Sequence, residues 1–159
     1  MPRDTHLIFG SRRFDPWTSI LDIALVLLIV RILILLISPF NLGPDEAQYW
    51  SWSLEPDFGY FSKPPMIAWL IGASTFVFGD AEWAIRLTAP VLHTVTTLII
   101  FQIGSLLYNP RIGFWSALTF ATLPSVFFSS GLITTDTPLL LFWSVALYGL
   151  IRFERGGDL

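Results

Sequence analysis

The chain has 159 residues, 53% of them hydrophobic, 16% aromatic and 13% charged, with a net charge of −3, no cysteine and a mean hydropathy of +0.65. Soluble domains carry about 25% charged residues, so this chain lacks the polar groups to cover a water-facing surface. That excludes a disordered region, a basic nucleic-acid-binding module and a disulfide-stapled secreted domain, and it leaves an all-α polytopic membrane protein in place of a soluble α/β enzyme.

Residues 1–19 form a short amino-terminal segment carrying Arg3, Arg12 and Arg13. A nearly unbroken apolar run follows over 20–38, long enough to cross a bilayer core of about 30 Å at ~1.5 Å per residue. Residues 87–108 and 112–128 give a second and a third candidate span, turned tightly by Asn109-Pro110-Arg111. Residues 137–153 give a fourth, with Pro138 in the first helical turn. The apolar stretch 66–78 is bounded by Pro64-Pro65 and Gly79-Asp80 and is too short to span, which predicts an interfacial or re-entrant helix. The first run starts late, is too long for a signal-peptide core and has no small-residue cleavage site, so it is expected to remain as an anchor.

Charge placement sets the orientation. With a cytoplasmic amino terminus, Arg3, Arg12, Arg13, Arg111, Arg152 and Arg155 all fall inside, whereas Lys63 and Arg86 fall outside. The acidic residues Asp45, Glu46, Glu55, Asp57, Asp80, Glu82 and Asp136 collect on the outer side, most of them in the loop 40–86. Trp50, Trp52, Trp69 and Trp83 lie in that loop with Tyr49 and Tyr60. Such rings favour the headgroup level, where the apolar body is buried and the N–H or O–H stays wet. The loop is therefore expected to lie on the membrane as short helices.

Each candidate residue carries a bland and a chemical reading. Asp45 either caps a short helix, with Glu46 favouring its dipole, or acts as a general base on an incoming hydroxyl. Lys63, the sole lysine, either snorkels or supplies a point charge for phosphate, its backbone held extended by Pro64-Pro65. Arg86 either pairs with Glu82 one helical turn away or presents a guanidinium fork to a phosphate. Asp136 either caps the fourth span or joins Asp45 on the same membrane face. Asp22 sits near the inner interface. Arg31, near mid-membrane, needs a partner and is expected to find it in helices outside this chain. His93 is expected to make an interhelical hydrogen bond.

The motifs Pro44-Asp45-Glu46-Ala47-Gln48-Tyr49-Trp50, Phe58-Gly59-Tyr60-Phe61-Ser62-Lys63-Pro64-Pro65, Glu82-Trp83-Ala84-Ile85-Arg86-Leu87 and Thr135-Asp136-Thr137-Pro138-Leu139 occur in this order. Together they resemble the amino-terminal part of the GT-C membrane glycosyltransferases that use polyprenyl-phosphate sugars, the group of the lipid A aminoarabinose transferases and protein O-mannosyltransferases. The resemblance implies a fragment of a larger fold with many more spans. It implies Asp45, Glu46 and Asp136 as catalytic carboxylates, and Lys63, Arg86 and Tyr60 as substrate-binding residues. It also implies a polyprenyl-phosphate-sugar donor, a glycan, lipid or protein acceptor, and an active site on the outer face of the inner (plasma) membrane. No cofactor is assigned. The aminoarabinose transferases have a metal-associated acidic residue where this chain has Ser62, so a divalent metal finds no support. A non-enzymatic transport or flippase-like component is the alternative; paired repeats and matching broken spans would favour it, and a fragment can hide both.

Overall fold

Prolines and caps divide the chain into its elements. The computed structural model describes residues 15–156, so the expectations for residues 1–14 lie outside it. Among the described residues there are eight helices and no strand. Helix α1 (Pro16–Ile37) opens with proline in its first turn and with Asp15 accepting from the Trp17 N–H at 3.3 Å. It ends at Ser38, whose extended backbone is what a following proline enforces. Helix α2 (Pro44–Ser53) also opens with proline, and α3 (Met66–Phe78) ends at Gly79, whose φ of 79° suits only glycine among common residues. The short helix α4 (Glu82–Arg86) runs through helical Leu87 into α5 (Thr88–Leu107).

Asn109 caps α6 (Pro110–Thr122), accepting from the Ile112 N–H at 3.0 Å. The expected third span then breaks. Pro124 forces Leu123 out of helical conformation, and a separate helix α7 (Pro124–Ser129) follows. Helix α8 (Asp136–Glu154) closes the described chain. The helices over 16–37 and 82–107 are long and apolar enough to cross a membrane. Of the four spans expected, these two meet that test.

Helix α5 is central, packed on α6, α8 and α1. The α5–α6 contact is backbone on backbone: a methyl added to Gly104 would lie 2.8 Å from the Gly113 Cα. Small residues allow such approach where lipid supplies no hydrophobic drive. Ile20, Phe101, Phe114 and Ala117 bury the junction of α1, α5 and α6. The lipid-sized apolar surface points outward: Val26, Ile29, Leu33 and Ile37 on α1, and Phe142, Trp143 and Phe153 on α8, are exposed. A helix apolar on every face belongs in a core or a membrane.

Arg31 and His93, in the apolar helices, each find one partner inside the chain. Arg31 Nη2 donates to the Ala121 carbonyl at 2.7 Å, a partner in the last turn of α6, while its Nε is buried with no partner among the described residues. The break at Leu123 frees that carbonyl, and a cation at a helix carboxyl end is favourable. His93 makes its interhelical bond, 2.8 Å from Nε2 to the Ser129 hydroxyl.

A second core forms on the loop side. Tyr49, Ile67, Ile71, Ile85, Ala89 and Ile133 pack together, joining α2, α3, the α4–α5 junction and the segment before α8. Residues far apart in sequence are thus brought to one end of the bundle.

Candidate active site

Residues 43–46 set the geometry. Gly43, not Asp45, is the N-cap of α2, and the Glu46 side chain reaches back to the Gly43 N–H at 2.9 Å. Asp45 therefore sits in the first turn with its carboxylate exposed. Likewise Thr135 precedes α8 as its cap residue, and Asp136 is the first helical residue, also exposed.

Glu46 points the other way and is buried. Its Oε1 accepts from Arg86 Nε at 2.9 Å and from the Ile133 N–H at 3.0 Å. Its Oε2 accepts from Arg86 Nη2 at 2.7 Å as well as from Gly43. Arg86, also buried, donates in addition to the carbonyls of Phe40 and Asn41, each at 3.0 Å. Burial works against the charge on Glu46, but the Arg86 bonds, the Gly43 and Ile133 N–H groups and the Arg86 charge outweigh it. The carboxyl is held below its ordinary value. Arg86 thus pairs with Glu46 and not with Glu82, and its fork faces a carboxylate of this chain where a phosphate was expected. Together the two residues pin the 40–43 segment, α2, α4 and the backbone at Ile133 to one another.

Beside this network a cavity of about 470 Å³ is lined by Asp45, Tyr49, Lys63, Ile133, Thr134, Thr135 and Asp136, with Glu46 in its wall. Asp45, Lys63 and Asp136 were each expected at a site, and one cavity holds all three. Arg86 is outside that lining, and so is Tyr60. Tyr60 stacks on Trp52 with centroids 4.8 Å apart, accepts from the Asp57 N–H at 3.1 Å and donates to the Trp52 carbonyl at 2.9 Å. Its backbone N–H donates to the Lys63 carbonyl, so Tyr60 shapes the loop that carries the lysine.

Tyr49 is the residue that the motif reading passed over. It lies one helical turn after Asp45 on the same face, a spacing visible in the sequence. Burial first, then the charges of Asp45 and Asp136, push its phenol above the ordinary value, so it stays protonated.

A larger, mostly apolar groove of about 890 Å³ runs between α1 and α6–α7, lined by Leu27, Ile34, Leu35, Phe127, Phe128 and Leu132 among others. It shares Gly43, Glu46 and Leu132 with the polar cavity. Among the described residues no group of three or more His, Asp or Glu is placed to hold a metal ion. Ser62 stands beside Lys63 and the exposed carboxylates are split between α2 and α8, so these residues by themselves do not make a metal-ligand set.

Residues 62–158 match the family described as dolichyl-phosphate-mannose-protein mannosyltransferase. The chain belongs to this family. Lys63, Arg86 and Asp136 fall within the matched stretch, while Asp45 and Tyr49 precede it. The chain is also similar to the lipid A galacturonosyltransferase RgtD of Rhizobium johnstonii, at 43% identity over 71% of this chain and 25% of that protein. It resembles undecaprenyl phosphate-alpha-4-amino-4-deoxy-L-arabinose arabinosyl transferase 2 of Proteus mirabilis, at 26% identity over 65% of this chain and 21% of that protein. The corresponding transferase of Serratia proteamaculans is 30% identical over 55% of this chain and 16% of its own length. The chain thus spans a quarter or less of these relatives. No solved structure matches. The resemblance to the family of membrane glycosyltransferases read from the motifs is borne out, and the two long apolar helices fit an integral membrane protein.

Proposed function

We propose that this chain supplies the amino-terminal part of the active site of a glycosyltransferase acting at the outer membrane face. The enzyme moves a sugar from a polyprenyl-phosphate donor to an acceptor hydroxyl. The observation that carries the reading is the convergence of Asp45, Lys63 and Asp136 on one cavity that adjoins an apolar groove. A lipid-linked sugar phosphate needs that combination: a groove for the hydrocarbon, a cation for the phosphate and a base for the acceptor.

In this mechanism Asp45 takes the acceptor proton as the acceptor oxygen bonds to the anomeric carbon. The anomeric C–O bond breaks, and its electron pair leaves with the phosphate oxygen. Lys63 meets the charge that develops there. Asp136, lining the same cavity as Asp45, orients the acceptor. Glu46 and Arg86 act as positioning residues, because their mutual bonds hold α2 and the 133–136 segment in register. Helices α1, α4–α5, the broken α6–α7 and α8 serve as four crossings, with the amino terminus cytoplasmic as the arginine distribution favours. The names of the relatives support a galacturonosyl or related pentosyl or hexosyl group as the sugar, and lipid A or another glycan as the acceptor.

The test is transfer of labelled sugar by the full-length protein in membranes. Asp45→Asn is expected to lower the rate about 10²- to 10⁴-fold, the range of a general base. An unchanged rate would refute the mechanism.

A further inference from the structure

Tyr49 combines burial with an unanswered donor. Its ring is 4% exposed and packs among Ile67, Ile71 and Ile85, while the residue also lines the cavity that holds Asp45, Lys63 and Asp136. The ring edges are satisfied: Trp52 lies 5.7 Å away, tilted by 43°. The hydroxyl is not. Among the described residues it makes no hydrogen bond, and it is not sealed from the cavity. The residue is buried but its hydroxyl is left open to the cavity, a free donor from which a ligand atom bound there can accept.

The surroundings select which atom. Asp45 and Asp136 are exposed carboxylates of the same cavity, and Lys63 is its one cation among the described lining residues. Arg86 is committed to Glu46 and contributes no free fork. An anionic leaving group arriving there meets two negative charges and one positive. A neutral donor in the same cavity offsets that imbalance without adding a charge of its own, and a hydrogen bond to an ionised oxygen is among the stronger ones.

Resting on the transferase reading above, we infer that the Tyr49 hydroxyl donates a hydrogen bond to the phosphate oxygen that leaves the sugar. As the acceptor oxygen bonds to the anomeric carbon and its proton passes to Asp45, the anomeric C–O electron pair moves onto that phosphate oxygen. A monoanionic diester becomes a monoester carrying nearly two charges. The Tyr49 bond strengthens over the same interval. It is therefore worth more to the transition state and to the released polyprenyl phosphate than to the bound donor.

Tyr49→Phe removes the hydroxyl and keeps the ring in its core, so thermal stability is expected to hold. In the full-length protein, kcat for transfer from a polyprenyl-phosphate sugar should fall about 10- to 100-fold, while KM for that donor changes less than about threefold. Inhibition by free polyprenyl phosphate should weaken about tenfold. A structural role for the ring would not separate product from donor in this way. If the wild type transfers sugar and Tyr49→Phe matches it in kcat and in product inhibition, the inference is overturned while the transferase reading stands. If product and donor affinities fall together, the hydroxyl binds the ground state and the inference is also overturned. If the wild type transfers no sugar from any polyprenyl-phosphate donor, the transferase reading fails and takes the inference with it.

Discussion

Asp45 and Glu46 are neighbours with the same chemistry, and the fold treats them oppositely. Asp45 is exposed in a cavity with Lys63 and Asp136, whereas Glu46 is buried and accepts four hydrogen bonds from Arg86, Gly43 and Ile133. One helical step of about 100° separates the two directions. In the proposed function the buried network around Glu46 is architecture, and the open cavity beside it is where substrate chemistry takes place. A carboxylate's surroundings, more than its identity, decide its role.

The largest expected effect lies on the buried side. Arg86→Ala strands an uncompensated carboxylate and should destabilise the fold by about 3–5 kcal/mol, read by thermal unfolding of the detergent-solubilised protein. A loss under 1 kcal/mol would mean that the pair is not a structural hub. Gly113→Ala, in the α5–α6 contact far from the site, should cost about 1–3 kcal/mol by the same readout. The added methyl would meet the Phe101 carbonyl at 2.5 Å and the Ser105 nitrogen at 2.9 Å, both backbone and unable to step aside. On the open side Lys63→Ala should leave stability unchanged. It should weaken binding of the lipid-phosphate donor about tenfold, equivalent to ~1.4 kcal/mol; equal donor affinity would remove the lysine from the phosphate site.

The smallest effect is a pH dependence. The carboxyl of Glu46 is lowered on folding, so its contribution to stability is present above its ordinary value of 4.5 and is lost as pH falls through the folded value. Melting temperature should therefore decline on acidification below that range in the wild type. The decline should be shallower in Glu46→Gln.

Much of the bundle was legible in the sequence because its signals are local. The run 20–38, the Pro64-Pro65 and Gly79 limits of α3 and the Asn109-Pro110 turn each act within a few residues, and α3 occupies the expected 66–78. The third span misled because apolar residues continue across Pro124, so hydropathy stays high where the backbone must break. Arg31 finds one partner within the chain for a related reason. Its partner is a carbonyl exposed by that break, and a side-chain pattern cannot show a freed backbone group.

At the site, Asp45, Lys63 and Asp136 were readable as motif residues. The Glu46–Arg86 pair was not, since its members are 40 residues apart and Glu82 offered a nearer partner. Tyr49 carried a usable signal in its spacing from Asp45, masked by the many aromatic residues of the loop.

The division of labour on α2 is tested most directly by measuring stability and sugar transfer for Asp45→Asn and Glu46→Gln side by side in the full-length protein. The two variants should cross. Asp45→Asn should melt like the wild type and lose about 10²- to 10⁴-fold in transfer rate. Glu46→Gln should be less stable by about 3 kcal/mol, while its folded molecules transfer sugar at least about tenfold faster than those of Asp45→Asn. If Asp45→Asn is the unstable variant, or if Glu46→Gln is equally inactive at full stability, the account is contradicted.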